Sequence, residues 1–331
     1  MERFALAAAV VLGFALTAAL CSLFVPLRRV LERREQNQQP AQSEQPRPAP
    51  LRAPLWGGLC AAAGTVAAVG VGWLAACVGQ PELLGSEGRL MTRLLTALAG
   101  SLAFGAVGFA EDLARMRSPA ALGLRRDVRL LLEALAAAFV LLLLQAAGCL
   151  PRGLDVPGAG YVLLGSAVPF LWAVLMVVLA ECARIAERDE GTVCGAAFVA
   201  MLALMMAEAG LGVPGLAVLP AALAGALVAL GLWAFPPARL GVGCCGSLLA
   251  AGAIGCIPLS LDMTSLTVPL ALPFWAAGGL LAAQLLGAKR TGKPLRCWVK
   301  KHKMSPETVF LCSFALSAVG YVLALALLRW C

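Results

Sequence analysis

The chain has 331 residues, of which 61% are hydrophobic and 13% are charged. Charged residues make up about 25% of an ordinary soluble domain, so this composition excludes a soluble globular protein. The net charge of +8 lies mostly on loops between the apolar segments, which favours contact with membrane lipids over nucleic-acid binding.

Ten apolar segments follow one another along the chain, and most approach the roughly 20 residues that a helix needs to cross a bilayer. Ala, Leu and Gly dominate them, and the alternating pattern of membrane strands is not visible. The sequence therefore predicts an all-α polytopic membrane protein of about ten transmembrane helices, without strands. The predicted segments are about 4–26, 55–78, 91–110, 129–149, 160–180, 192–211, 216–234, 247–260, 266–287 and 308–329, of which the eighth is the shortest.

Basic residues are unevenly distributed between the loops that connect these segments. If the N-terminus lies outside, 21 of the 26 Lys and Arg residues fall on the inner side and 5 on the outer side. Cytosolic loops carry such an excess, so we expect both termini outside and any active-site loops on the cytosolic face. We expect one integral membrane domain, 1–331, with a flexible cytosolic linker at 33–53 that is rich in Gln and Pro.

The first notable inner stretch is "APLWGG" (53–58), which enters the second segment. Pro54 followed by Gly57 and Gly58 indicates a turn and then a close approach of the backbone. A packing motif between helices is the alternative reading, and taken alone it is the better one.

The second inner stretch is "GFAEDLARMR" (108–117), where a long apolar segment ends on Glu111 and Asp112. Paired carboxylates offer the oxygen ligands that Mg²⁺ prefers. The alternative is a simple helical ion pair of Glu111 with Arg115, worth a few tenths of a kcal/mol.

The third stretch, "ECARIAERDEG" (181–191), places Glu187 and Glu190 on one helix face if it is helical. Arg184 and Arg188 are close enough in sequence to neutralise them. A solvated turn of mixed charge is the alternative, and taken alone it is favoured over a functional site.

The fourth stretch, "FPPARLGVGCCGSLLAAG" (235–252), contains Gly243, Gly246 and Ser247 where an apolar segment begins. An amide-rich helix N-terminus of this kind favours anions, and the alternative is close helix packing on small residues. The fifth, "KRTGKPLRCWVKKHKMSPET" (289–308), is strongly basic and includes Lys293.

The order and spacing of these five stretches resemble the polyprenyl-phosphate phosphoglycosyl transferases (glycosyltransferase family 4). The resemblance is greatest to the phospho-N-acetylmuramoyl-pentapeptide transferase (MraY) family, whose motifs read "PTMGG", "GFxDDxxK", "NAxNLxDGLDGLA", "FMGDTGSL" and "TGKR…KMxPLHHHFE". The matching stretches are "PLWGG" (54–58), "GFAEDLAR" (108–115), "ECARIAERDEGTV" (181–193), "GVGCCGSL" (241–248) and "TGKP…KMSP" (291–306).

The resemblance implies a function and a place in the cell. Family members transfer a UDP-linked N-acetyl amino sugar phosphate, here favoured as phospho-N-acetylmuramoyl-pentapeptide, onto undecaprenyl phosphate and release UMP. This implies the bacterial cytoplasmic membrane, peptidoglycan or envelope glycan synthesis, a Mg²⁺ cofactor and a homodimer. Such phosphoryl transfer depends on charge neutralisation and alignment.

The resemblance also assigns roles to individual residues. The catalytic acids would be Glu111, Asp112, Glu187 and Glu190, with Asp112 and Glu187 as metal ligands. The substrate-binding residues would be Pro54, Gly57, Gly58, Arg115, Gly191, Gly243, Gly246, Ser247 and Lys293.

Three features depart from the family pattern. Cys244 stands where the family has a metal-binding Asp, and a thiol is a poor ligand for a hard cation. The histidine triad of the last motif is absent, and Glu181 and Arg184 stand where the third motif has asparagines.

Two hypotheses of different classes follow from these departures. The first is a diverged but active transferase that uses the acids named above. The second is a non-catalytic relative that binds lipid phosphate or acts as a scaffold. A thiol site at Cys244 and Cys245 is a weaker third, because vicinal cysteines seldom form an unstrained disulfide.

Overall fold

A computed structural model gives the fold of residues 2–38, 56–79, 88–117, 123–151, 153–156, 160–163, 165, 167–187, 191–212, 215–235, 239–286 and 306–328. These residues form eleven α-helices, one β-hairpin and one 3-10 turn. The helices are α1 (Glu2–Gln38), α2 (Gly57–Gly79), α3 (Gly88–Arg117), α4 (Arg126–Ala146), α5 (Ala167–Ala186), α6 (Thr192–Gly210), α7 (Val218–Ala234), α8 (Gly243–Ser260), α9 (Thr267–Leu270), α10 (Leu272–Leu286) and α11 (Pro306–Leu328).

Each of the ten predicted apolar segments overlaps a helix of the structure. Within the described ranges, seven helical stretches are long and apolar enough to cross a membrane, and Val218–Ala234 is a shorter apolar helix. The seven are Phe4–Val25, Gly57–Val78, Leu90–Arg117, Ala167–Ala186, Thr192–Gly210, Gly243–Ser260 and Glu307–Leu328. A helical multi-pass membrane protein is thereby confirmed, while the count of ten spans, the outer termini and the side of each loop stay predictions.

The expectation of no strands was wrong for the connection between α4 and α5. Strand β1 (Gly153–Val156) pairs antiparallel with β2 (Gly160–Leu163). The apolar residues of β2 extended the predicted fifth segment to residue 160, whereas α5 begins at Ala167. Hydropathy does not distinguish a short strand from a helical turn, and Gly160 has a φ of +73°, which allows the tight reversal.

Two further boundaries differ from the prediction. The ninth segment is interrupted, because a 3-10 turn (Thr264–Leu266) and the short α9 precede α10. Pro269 and Pro273 lie in this region and have no backbone N–H to donate. Helix α1 continues to Gln38, so the first six residues of the predicted linker 33–53 are helical and the others lie outside the described residues.

Helix α8, predicted as the shortest segment, is the buried centre of the bundle. All of its residues from Gly243 to Ser260 are buried, and it packs along α3 and against α2, α5 and α6. Small residues make this contact close: a Cβ atom on Gly252 would lie 3.1 Å from the Cα of Ser101. The prediction began this helix at residue 247 because Gly243–Gly246 read as loop, but these residues form its first turn.

Helix ends meet at one end of the bundle, which we call the charged end. The C-terminal ends of α3 and α5 lie there with the N-terminal ends of α4 and α8, joined by contacts of Asp112 with Cys244 and of Arg129 with Glu181. The start of α2 joins them through the Gly58 N–H, which donates to the Val242 carbonyl over 3.0 Å. Residues far apart in sequence are thus brought into one cluster.

Candidate active site at the charged end of the bundle

Asp112 fixes the end of α3 to the start of α8. The Cys244 N–H donates to Asp112 Oδ1 over 3.0 Å, and the Cys245 N–H donates to Asp112 Oδ2 over 2.9 Å. The first turn of a helix leaves N–H groups without intrahelical partners and favours negative charge. Asp112 therefore acts as a remote N-cap for α8, and both of its oxygens are occupied.

Glu111 lies beside Asp112 but faces a different partner. Arg115 Nη2 donates to Glu111 Oε1 over 2.5 Å, one helical turn along α3. The Nη1 atom of Arg115 lies 3.9 Å from Asp112 Oδ1, which is an ion pair but not a hydrogen bond. The helical ion pair expected as the alternative reading is therefore present, but Glu111 is only 2% exposed, so it is a buried pair rather than a surface one.

Arg129 joins three helices through carboxylates. Its Nε donates to Glu181 Oε1 of α5 over 2.7 Å, and its Nη1 lies 3.7 Å from Glu111 Oε1 of α3. Within α4, Glu133 Oε1 lies 3.9 Å from the same Nε. The other oxygen of Glu181 accepts a hydrogen bond from Arg184 Nη2. We call Glu111, Arg115, Arg129, Glu133, Glu181 and Arg184 the arginine–carboxylate network.

Glu187 and Cys244 lie next to this network. The charge of Glu187, just beyond α5, acts on both Arg115 and Cys244. The buried Cys244 thiol also lies within electrostatic range of Glu111, Asp112 and Arg184. The structure therefore brings three of the four predicted catalytic acids together around Cys244.

Sequence comparison identifies the family to which this arrangement belongs. The sequence model of glycosyl transferase family 4 matches residues 94–262. This range covers α3 to α8 and includes Glu111, Asp112, Glu187 and Cys244.

The chain belongs to glycosyl transferase family 4.

Curated relatives within this family carry one name. The phospho-N-acetylmuramoyl-pentapeptide-transferase of Mycobacterium tuberculosis is 28% identical over 265 residues, which cover 72% of each chain. The protein of that name from Desulforudis audaxviator is 34% identical over 170 residues, covering 48% of this chain and 50% of its own. One from a Synechococcus strain is 31% identical over 215 residues, covering 63% of this chain and 55% of its own.

The glycines and Ser247 have packing contacts that account for their presence in this family member. A Cβ atom on Gly58 would lie 2.1 Å from the Gly246 nitrogen, and one on Gly57 would lie 2.5 Å from the Gly241 oxygen. Ser247 Oγ donates to the carbonyl of Cys244 over 3.1 Å within α8. Their assignment to substrate binding stays a prediction, beside a packing role that the structure explains.

Two other glycines of the predicted site have a positive φ, the left-handed backbone conformation that favours glycine. Gly191 before α6 has a φ of +76°, and Gly243 at the start of α8 has a φ of +70°. The amides that follow Gly243 are bound by Asp112, so this helix start is occupied by a side chain rather than open to an anion. Pro54, Glu190 and Lys293 lie outside the described residues, and their predicted roles stay predictions.

The charged end offers few of the ligands that Mg²⁺ needs, which are several oxygens in near-octahedral arrangement. Both oxygens of Asp112 accept backbone N–H groups, Glu111 Oε1 is bound by Arg115, and position 244 offers a thiol. Within the described part of the chain, no three His, Cys, Asp or Glu side chains are grouped to hold a metal ion. This geometry does not support the predicted Mg²⁺ site.

Sequence reasoning did not anticipate the importance of Arg129 and Glu181. Arg129 is 7% exposed and 52 residues from Glu181, so no local pattern joins the two. One signal was available: charged residues inside apolar segments are costly unless they are paired. Arg129 and Glu133 are four apart in one such segment, and Glu181 and Arg184 are three apart at the end of another.

An apolar cavity of about 150 Å³ lies between α6, α10, α11 and the end of α5. Ala186, the residue before Glu187, forms part of its wall, and the lining is almost entirely apolar. Its lining includes Val193, Phe274, Leu280, Cys312 and Leu316. One part of its wall, at Ala186, therefore lies next in sequence to the charged end.

Proposed function

We propose that this protein transfers a UDP-linked N-acetyl amino sugar phosphate onto undecaprenyl phosphate and releases UMP. Phospho-N-acetylmuramoyl-pentapeptide is the favoured group, as in the names of the relatives. The observation that carries this proposal is the gathering of Glu111, Asp112 and Glu187 at the charged end, inside the range that matches the family.

The proposed reaction is an exchange at phosphorus. An oxygen of the lipid phosphate forms a bond to the sugar-bearing phosphorus, the bond from that phosphorus to the bridging oxygen breaks, and UMP leaves with that oxygen. Such a reaction needs charge neutralisation and alignment more than covalent help from the protein. One substrate is a lipid and the other is soluble, so a site at the end of a membrane bundle is where both can meet.

We assign a role in this reaction to each residue from its contacts. Each oxygen of Asp112 accepts one backbone N–H of α8, so we assign Asp112 to positioning α3 against α8. Glu187 is partly exposed and acts on Arg115, which makes it the described acid best placed to orient the lipid phosphate or accept its proton. Arg115 carries the charge that a phosphate would meet. The apolar cavity beside Ala186 suits the first part of a prenyl chain.

The same proposal places the protein in the bacterial cytoplasmic membrane, in peptidoglycan or envelope glycan synthesis, as a homodimer. The relatives are bacterial proteins of one name, and the long apolar helices require a membrane.

A second function is favoured by a specific observation. Cys244 replaces the family's metal-binding Asp, and arginines already neutralise Glu111 and Glu181. These features suit a non-catalytic relative that binds lipid phosphate without transferring anything.

The experiment that separates the two is UMP release by the purified protein in detergent. It receives undecaprenyl phosphate and either UDP-N-acetylmuramoyl-pentapeptide or UDP-N-acetylglucosamine. The transferase predicts release with one donor, reduced at least about a hundredfold by Glu187→Gln, as for loss of a general base. Asp127→Asn, an exposed change on α4, is the matched control and retains full activity. No release with either donor, from protein that still binds the lipid phosphate, supports the second function.

A further inference from the structure

Helices α1 and α2 pack against each other in one antiparallel register. A Cβ atom on Gly64 would lie 3.3 Å from the Cα of Thr17, and one on Gly72 would lie 3.7 Å from the Cα of Ala9. The second contact lies eight residues before the first on α1 and eight residues after it on α2. The register is therefore the same at both contacts.

This register places Cys21 of α1 opposite Cys60 of α2. The pair lies four residues, about one helical turn, beyond the close contact at Gly64. On the other side of the pair, the rings of Phe24 and Trp56 stack with their centroids 5.4 Å apart. Contacts on both sides therefore hold the two helices together at the cysteines.

The two cysteines are buried free thiols in contact with each other. Cys21 is 0% exposed and Cys60 is 1% exposed, and their side chains are hydrogen-bonded to each other. At Gly64, the 3.3 Å separation plus one carbon–carbon bond of about 1.5 Å gives at most about 5 Å between the α-carbons of the two helices. A disulfide needs about 4.4–6.8 Å between α-carbons, so backbones this close can accept one.

We propose that Cys21 and Cys60 are a reversible disulfide site that links α1 to the start of α2 and stabilises their packing. The oxidant is a peroxide, because only a small uncharged molecule can reach thiols this deeply buried. One sulfur attacks a peroxide oxygen and becomes a sulfenic acid, while the O–O bond breaks and the departing oxygen leaves as water with the thiol proton. The second sulfur then attacks the first, so the S–S bond forms, the S–O bond breaks and a second water leaves. A dithiol reverses the reaction by thiol–disulfide exchange.

The proposed link would act on a helix start that also contacts the charged end. Gly58, two residues before Cys60, donates its N–H to the Val242 carbonyl ahead of α8. The inference goes beyond the proposed function and does not depend on it, because it concerns the contact of α1 with α2. The alternative is that both cysteines are small packing side chains without redox chemistry.

The test is peptide mapping by mass spectrometry of the full chain in detergent, treated with hydrogen peroxide or with dithiothreitol. The protein is then denatured in acid, alkylated and digested without reductant. We expect a peptide pair joined through Cys21 and Cys60 as the main disulfide product, absent after dithiothreitol. Exposed Cys312 reports whether the peroxide dose is sufficient.

Two results of this mapping overturn the proposal. The first is alkylation of both Cys21 and Cys60 at a dose that oxidises Cys312. The second is a link from either cysteine to Cys194 or Cys245, which lie within electrostatic range of Cys21 and Cys60 respectively.

A melting experiment tests whether the bond stabilises the helix pair. Cys21 and Cys60 are 39 residues apart, and closing a loop of this length restricts the unfolded chain. We expect peroxide to raise the Tm of the unmodified chain by several degrees and dithiothreitol to reverse the rise. Cys21→Ala and Cys60→Ala should each abolish it. Cys77→Ala, on the same helix but opposite Phe4 in this register, is the matched control and should retain it. No rise in the unmodified chain, or a rise that persists in Cys21→Ala, overturns the proposal.

Discussion

Two neighbouring regions at the charged end satisfy their buried polar groups in different ways. Between α3 and α8, Asp112 accepts two backbone N–H groups at 2.9 and 3.0 Å, and small residues bring the helices into close contact. Between α3, α4 and α5, side chains pair with side chains, and several atoms, such as Glu111 Oε2 and Arg184 Nε, have no partner among the described residues. The first region is complete without a ligand, and the second is not.

The difference indicates which region is scaffold and which is site. A buried polar group that is hydrogen-bonded to backbone on both oxygens is stable without a ligand. A network with unpartnered donors and acceptors can bind a ligand, at some cost in stability. We therefore propose a scaffold role for Asp112, while its predicted catalytic role stays a prediction.

The largest effect is expected from removing the centre of the network. Arg129→Met keeps an apolar side chain of similar length but removes the ion pair with Glu133 and one of the two arginines that bind Glu181. Breaking a buried ion pair costs about 3–5 kcal/mol. Thermal melting of the detergent-purified protein should show this loss beside Arg125→Met, whose arginine is 84% exposed. Equal melting temperatures for the two variants would mean that Arg129 contributes no more to stability than the exposed Arg125 does.

Asp112→Asn tests the scaffold region. An amide retains one oxygen acceptor and presents an NH₂ group to the second backbone N–H, so one helix-capping hydrogen bond is lost. We expect a loss of about 1.5–3 kcal/mol in the free energy of unfolding, measured by the same melting experiment. Asp127→Asn, on an exposed aspartate, is the matched control. A stable Asp112→Asn variant that loses only activity would return Asp112 to the catalytic group.

Gly108→Ala tests the close contact of α3 with α8. The added Cβ would lie 2.2 Å from the Cys244 carbonyl oxygen, and backbone must move to admit it. The expected cost is about 1–3 kcal/mol. Gly70→Ala in α2 meets nothing within 4 Å and is expected to be neutral or slightly stabilising. If both alanines melt alike, the two helices are farther apart than described.

The smallest shift is expected from adding Mg²⁺ to Cys244→Asp, a variant with a new carboxylate beside Glu111, Asp112 and Glu187. Without metal, like charges should destabilise this variant relative to Cys244→Ser. Mg²⁺ at about ten times its Kd would then restore about 1.4 kcal/mol, seen as a Mg²⁺-dependent rise in Tm. The unmodified chain is expected to show no such rise. A rise in the unmodified chain would contradict the metal-free reading.

The sequence predicted the parts of the fold that depend on local hydropathy. Long runs of Ala and Leu located ten helical segments, because a membrane-length helix requires such a run. The start of α8 was missed, since Gly243 and the residues after it resemble a loop until Asp112 caps them. The β1–β2 hairpin was missed because its second strand continues directly into an apolar segment.

The sequence indicated which residues lie at the candidate site better than it indicated which of them contact each other. Glu111 with Arg115 follows from helical spacing, and Glu187 was located by its motif. The contact of Arg129 with Glu181 joins residues 52 apart, and that of Asp112 with Cys244 joins residues 132 apart. Such contacts depend on how helices pack, which one sequence does not encode in any local pattern.

The most direct test of the account is UMP release measured in EDTA and in Mg²⁺, with undecaprenyl phosphate and UDP-N-acetylmuramoyl-pentapeptide as substrates. The account predicts release in at least one of these buffers, which Glu187→Gln reduces at least about a hundredfold. Absence of release in both buffers, from folded protein that binds the lipid phosphate, would contradict the transferase and leave a lipid-phosphate-binding member of glycosyl transferase family 4.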